Sequence, residues 1–326
     1  MVQLLAKRTT LNFLLLIPHS IRAMTTQSNI QKAGNKVSST TTTKGQSEIA
    51  IKAAKDFTIS QRKKLQELGA LDIQRPIRII GELLDDQKDD DGNDESNKAS
   101  VTKIIHFQRH GQGFHNLICD IWREKGLPID FDSLDPTFNP VIRNEFLDPP
   151  LTETGRQQCK DKREECSKLT PELVIVSPLL RCLQTASLSF YDFYQTNIPW
   201  VSHEGCREEL GLLVGNKRRS ISEIKLDYPS IDFSAIEYDD DVLWNDYGNR
   251  RETQLEKSER IYEFLTDYVR NRPEKDIAIV CHSAYLFTLL NAVMDVENED
   301  LRSWFLTSEV RSMKVRFETN DMYKEE

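Results

Sequence analysis

From Val101 onward the chain carries short runs dominated by apolar residues: Ile104-Ile105-His106-Phe107, Leu173-Val174-Ile175-Val176 and Ile277-Ala278-Ile279-Val280-Cys281. Runs of this length, without polar alternation, predict strands buried on both faces. Between them the period changes. Ile261, Phe264, Leu265, Tyr268 and Val269 recur at i, i+3, i+4, i+7 and i+8, and the pattern stops before Pro273, which predicts an amphipathic helix. Strands and helices alternating at this spacing predict βαβ units and an α/β fold with a mostly parallel central sheet. Residues 48 to 84 read as a peripheral helix and short strand, and residues 319 to 326 as a tail.

Composition limits what this pattern can be. With 326 residues, 38% of them hydrophobic and 29% charged, the chain has the apolar content for a core and is no disordered polypeptide. Its 43 Lys and Arg against 52 Asp and Glu give a net charge of −9, so nucleic acid is not the expected partner. The longest apolar run near the start, Phe13 to Ile17, is far short of the ~20 residues of a membrane helix, so no membrane association is expected. The six cysteines include no C-x-x-C pair and read as free thiols of a reducing, cytoplasmic compartment. Residues 1 to 47 lack Asp and Glu, are rich in Ser and Thr and carry scattered Lys and Arg. That is a transit-peptide composition (a mitochondrial alternative), an unstructured tail, or a start whose true initiation is Met24. Seven carboxylates between Asp85 and Glu95 predict a solvated acidic loop over 85–97.

The chemistry gathers at strand ends. The first apolar run leads into Arg109-His110-Gly111, the second into Ser177-Pro178-Leu179-Leu180-Arg181 and the third into His282-Ser283. Open α/β sheets bind ligands at the carboxyl ends of their strands, so the three runs are expected to deliver Arg109, His110, Arg181 and His282 to one edge. Ser177 and Ser283 read as helix N-caps, and helix N-termini together with two guanidiniums suit a phosphate. His110 is the candidate nucleophile, Gly111 would let backbone approach the phosphate, and Arg109, Arg181 and His282 would neutralise its charge. Glu208 or Glu209 would supply the acid for the leaving oxygen.

These residues carry a resemblance. Arg109-His110-Gly111, Asn116, Leu151-Thr152-Glu153-Thr154-Gly155, Ser177-Pro178-Leu179-Leu180-Arg181-Cys182-Leu183-Gln184-Thr185-Ala186 and Val280-Cys281-His282-Ser283 occur in the order seen in the histidine phosphatase superfamily, also called phosphoglycerate-mutase-like. The match runs over about residues 101 to 318 and is most similar to a plant and fungal phosphomutase-like branch. The resemblance implies a central sheet with helices on both faces and cap insertions at about 117–150 and 203–260. It implies His110 as phosphorylated nucleophile, a phosphate pocket of Arg109, Asn116, Arg181 and His282, and Glu208 as proton donor with Glu209 as fallback. No cofactor or metal follows from it. Gly113 stands where many relatives have Ser or Thr, and His115 where the mutases have Trp. The mutases' acid lies four residues before a glycine, and that spacing from Gly211 falls on Arg207 here. Their long recognition segment is not recognisable in residues 117 to 150. The expected activity is therefore hydrolysis of a small phosphorylated metabolite. A phosphomutase is the alternative and an inactive phospho-ligand-binding protein the more remote one.

Other residues have plainer readings. His19, His106 and His203 read as packed or solvated histidines, although the spacing of His106 and His110 is one that zinc sites use. His115 either touches substrate or lines the loop. Arg218 and Arg219, with Lys217, form a basic run that would either bind the anionic tail of a substrate or face solvent. Asp239-Asp240-Asp241 reads as a surface turn.

Overall fold

The computed structural model describes residues 42–84, 100–194 and 196–323. The expected targeting segment up to residue 41 and the acidic loop at 85–97 lie outside the described residues. Six strands, Ile77–Leu83 (β1), Val101–Arg109 (β2), Leu173–Val176 (β3), Trp200–Ser202 (β4), Asp276–Cys281 (β5) and Val310–Thr319 (β6), form one sheet in the order β1-β6-β2-β5-β3-β4. β2, β5, β3 and β4 pair in parallel, while β6 runs antiparallel to both β2 and β1. The fold is thus mixed α/β with a mostly parallel sheet, as the alternating pattern predicts.

The principal helices are Thr42–Glu67 (α1), Phe114–Glu124 (α2), Glu153–Asp161 (α3), Leu180–Ser189 (α4), Ile221–Asp227 (α5), Val242–Tyr247 (α6), Gln254–Glu263 (α7) and Ser283–Thr288 (α8). α7 runs on through wider turns to Val269 and α8 to Val293. The sheet is covered on both faces. Leu173, Ile175, Ile277 and Ile279 pack with the apolar stripes of α7 and α8, whereas the alternate residues Val174, Val176, Ala278 and Val280 pack with α4 and α5. Strand side chains alternate between faces, so a strand covered twice must be apolar at every position. The run in β2 is less uniform. Ile104 is 37% exposed beside fully buried Ile105, and His106 is held by Asp276 and Ser312.

The described residues from Ile51 onward make one compact unit. The strand expected on the periphery is β1, an edge strand of the same sheet, paired with β6 from Ile77↔Thr319 to Leu83↔Met313. Among the described residues, all six cysteines are free and buried, and no helix is long and apolar enough to cross a membrane.

Candidate active site

Parallel register builds the centre of the site. Arg109 at the end of β2 pairs with Cys281 at the end of β5, so the next residue of each strand, His110 and His282, emerges side by side. The His110 amide donates to the Cys281 carbonyl at 3.0 Å, and the two imidazole centroids lie 5.2 Å apart. β3 joins the same edge through the Ser177 amide, which donates to the Val280 carbonyl, and through the Ser177 hydroxyl, 2.8 Å from His282 Nε2.

His110 is fully buried, and its Nδ1 donates to the Gly111 carbonyl at 2.7 Å, which leaves Nε2 with its lone pair. Burial, then the charges of Arg181 and Arg109, hold its pKa well below the usual histidine range against the pull of that carbonyl. His282 is likewise kept neutral by burial and by Arg181. Two unionised imidazoles therefore sit among guanidiniums. Arg181, in the first turn of α4, is fully buried; its two Nη atoms donate to the Gly215 carbonyl and Asn216 Oδ1, at 2.7 and 2.9 Å. Arg109 donates from Nη1 to the Phe305 carbonyl, and burial lowers its pKa to about 10. Buried Nε atoms of both arginines have no protein acceptor. Asn116 stands in the first turn of α2, where its Oδ1 accepts from the Gly113 amide.

The two adjacent glutamates have opposite environments. Glu208 accepts from the Ala284 and Tyr285 amides at 3.2 and 3.0 Å, at the start of α8 immediately after His282. Burial and the neighbouring Glu209 charge raise its pKa, opposed by Lys257, Arg181 and the Ala284 amide. Glu209 is held at 2.7 Å by the buried Lys257 ammonium and also by Arg251. Burial pushes its carboxyl up, but these two cations outweigh that and bring it down to about 2. Of the pair, Glu208 is the one suited to carry a proton, and Glu209 is a fixed anion.

Several expectations are corrected by this geometry. Ser177 does not cap α4: the helix begins at Leu180, whose amide donates to Asp148 Oδ1 at 2.7 Å, while the Ser177 hydroxyl bonds His282. Ser283 does not cap α8, because Glu208 does. Both helix N-termini read as phosphate cradles are thus occupied by carboxylates. Arg218 cannot grip a substrate tail. Its side chain is buried and its guanidinium donates to Glu204 and to the carbonyls of Arg219, Tyr238, Asp239 and Asp240. Arg219 is paired with Asp148 and Asp227. Arg207, at the mutase acid spacing, is fully buried and bonded to Glu204 and Asp241. Asp241 is accordingly no surface turn residue but a buried partner at 3% exposure. What crowds Gly111 is protein: a Cβ there would lie 2.6 Å from the Gly155 carbonyl oxygen and 2.8 Å from Cys159 Sγ.

The other expectations are placed simply. Thr152 caps α3 by accepting from the Gly155 amide, and His203 caps a short turn while its ring packs on Phe264 and Tyr268. Lys217 lies over the Trp244 ring and donates to Asn245. A separate cleft of about 440 Å³ beside Trp200, Asp232, Tyr268 and Arg272 contains none of the strand-end residues. Asp148, Gly215, Asn216 and Lys257 went unread in the sequence. They act through contacts made across the fold, and neither periodicity nor a motif marks them.

The comparisons with known proteins agree with this edge. The model of the histidine phosphatase superfamily (branch 1) matches residues 143–323, a span that holds Arg181, Glu208 and His282 and begins after Arg109 and His110. Phosphoglycerate mutase-like protein 1 of Arabidopsis thaliana is 31% identical over 246 residues, covering 65% of this chain and 81% of its own. A second Arabidopsis thaliana phosphoglycerate mutase-like protein is 32% identical over 246 residues, with 65% and 84% covered. A more distant relative from Schizosaccharomyces pombe, named a "probable phosphatase", is 26% identical over 190 residues, with 56% and 74% covered. With more than half its length matched by the family model and its strand ends arranged as described, the chain belongs to the histidine phosphatase superfamily, in the phosphoglycerate-mutase-like branch.

Proposed function

We propose that the protein is a phosphomonoester hydrolase that works without metal, through a phosphohistidine on His110. The observation that carries this reading is a neutral imidazole with one nitrogen anchored on its own loop, set among two guanidiniums whose buried Nε atoms lack protein acceptors. Nε2 of His110 attacks phosphorus, the N–P bond forms and the P–O bond to the alcohol breaks. Arg109 and Arg181 counter the charge on the phosphoryl oxygens. Protonated Glu208 gives its proton to the departing oxygen. As carboxylate it then takes a proton from water, which attacks phosphorus and releases His110 with inorganic phosphate. Glu208 Oε1 accepts the Tyr285 and Glu209 amides, whereas Oε2 accepts only the Ala284 amide and keeps a second lone pair for this traffic.

The test is chemical trapping. During turnover of an aryl phosphate the wild-type protein should carry acid-labile phosphate on His110, and His110→Ala should lose both the label and the activity. Full activity in that variant would end the proposal. The relatives' names favour a second reading, a phosphomutase. It predicts movement of phosphate between two oxygens of one metabolite with no net release, and a positional-transfer assay separates the two. The substrate is a small phosphorylated molecule in either case, acting in the cytoplasm, with the mitochondrion as alternative.

A further inference from the structure

We propose that His115 is a third imidazole of the phosphoryl pocket, hydrogen-bonding a phosphoryl oxygen through its ring, and that Gly113 is glycine so that this ring can occupy its place. The inference rests on the phosphohistidine reading and assigns the site a further binding residue. Three observations of geometry carry it.

The His115 ring centroid lies 5.4 Å from that of His110, nearly the 5.2 Å that separates His110 from His282, so the nucleophile is flanked by two imidazoles. His115 Nδ1 is buried and has no hydrogen-bond partner, like the Nε atoms of Arg109 and Arg181. A buried polar atom without a partner is costly, and three of them on residues whose charges and rings bear on His110 point to an anionic occupant. The third observation concerns the backbone. A Cβ on Gly113 would sit 2.6 Å from His115 Cε1 and 2.7 Å from Nδ1, so any side chain there displaces the ring. The conformation does not require glycine, since Gly113 has φ −93°. Space for the imidazole does. On its other side His115 faces the loop that holds Arg181: its Cβ lies 3.8 Å from the position of a Cβ on Gly215, whose carbonyl receives Arg181 Nη1.

The ring's charge state suits the task. Burial and the nearby Arg181, His110 and Arg109 keep it unprotonated, so it offers one N–H donor without adding a cation to a pocket that holds two guanidiniums. A wall residue that merely touched the alcohol would not need a buried nitrogen beside the nucleophile.

The test uses the full chain, aryl phosphate turnover and orthovanadate as the phosphoryl probe, on His115→Ala, His115→Gln, Gly113→Ala and the double variant Gly113→Ala/His115→Ala. His115→Ala should weaken vanadate inhibition at least tenfold and lower kcat in step, and His115→Gln, which keeps a donor, should recover part of both. Gly113→Ala should copy His115→Ala, and the double variant should be no worse than His115→Ala within a factor of two, because both lesions remove the same contact. Vanadate inhibition in His115→Ala within twofold of wild type overturns the proposal, and so does a change confined to KM. Multiplying losses in the double variant overturn the role of Gly113. Should Gly113→Ala fail to fold by circular dichroism, the Ala and Gln variants of His115 decide alone. If His110→Ala keeps activity, the phosphohistidine reading fails; if it is inactive while His115→Ala behaves as wild type, only this inference fails.

Discussion

Two substitutions around Glu208 should move the alkaline limb of the pH profile in opposite directions. In the proposed mechanism Glu208 is protonated for the first step, so kcat/KM falls as pH rises past its pKa. The neighbouring Glu209 carboxylate raises that pKa and the buried Lys257 ammonium lowers it. At an effective dielectric of about 20, two unit charges roughly 7 Å apart interact by about 2.4 kcal/mol. Because about 1.36 kcal/mol is a tenfold change in a protonation equilibrium, removing either charge moves the limb by an amount that a pH profile resolves. Glu209→Gln removes the like charge and leaves Lys257 unneutralised, so Glu208 loses its proton more readily and the limb moves to lower pH. Lys257→Met removes the cation while Arg251 still holds Glu209 ionised, so the limb moves to higher pH. The assay is kcat/KM on an alkyl phosphate, whose poor leaving group needs the acid, across about pH 4 to 9, which spans the ordinary carboxylate and histidine pKa values. Ionisation of the substrate phosphate is common to all three proteins and cancels in the comparison. Both variants break a buried ion pair and will be less stable, but instability cannot move a pKa in two directions. Limbs that stay together, or shift the same way, would refute the assignment of Glu208 as the acid.

The structural readings give further tests. Arg218→Met should cost about 3 kcal/mol in denaturant unfolding, since it leaves four backbone carbonyls without their donor and Glu204 with Arg207 alone, while KM for substrate stays within twofold; a raised KM at unchanged stability would restore Arg218 to the substrate. Gly155→Ala would place a Cβ 2.1 Å from the Gln112 carbonyl oxygen and push the loop after His110 out of position. A displacement of about 1 Å can cost on the order of 100-fold in rate, so kcat/KM should fall by at least tenfold; near-wild-type turnover would show that the loop tolerates the shift.

Sheet order and antiparallel partners were beyond the reach of the pattern. The apolar runs at 173–176 and 277–281 name buried strands because burial on two faces demands apolar side chains throughout, but nothing in them says that β6 closes beside β2. Glu208 and Glu209 look alike in sequence and differ in space: one accepts two amides of α8, and the other faces Lys257 from 48 positions away. Arg218 looks like a solvated cation until five acceptors from Glu204 and from the carbonyls at 219 and 238–240 converge on it.

By itself the order of residues determined the α/β class, the strand-end placement of Arg109, His110, Arg181 and His282, and the family they resemble. Those features are local: a run of apolar residues, a residue type just past its end, a motif a few positions long. Tertiary structure alone decided which carboxylate is free to carry a proton, which arginines face the pocket and which brace the fold, and that two helix N-termini are capped by Asp148 and Glu208. Each of those outcomes depends on burial and on partners distant in the chain, and a charge acquires its pKa and its role only from the groups that folding brings against it.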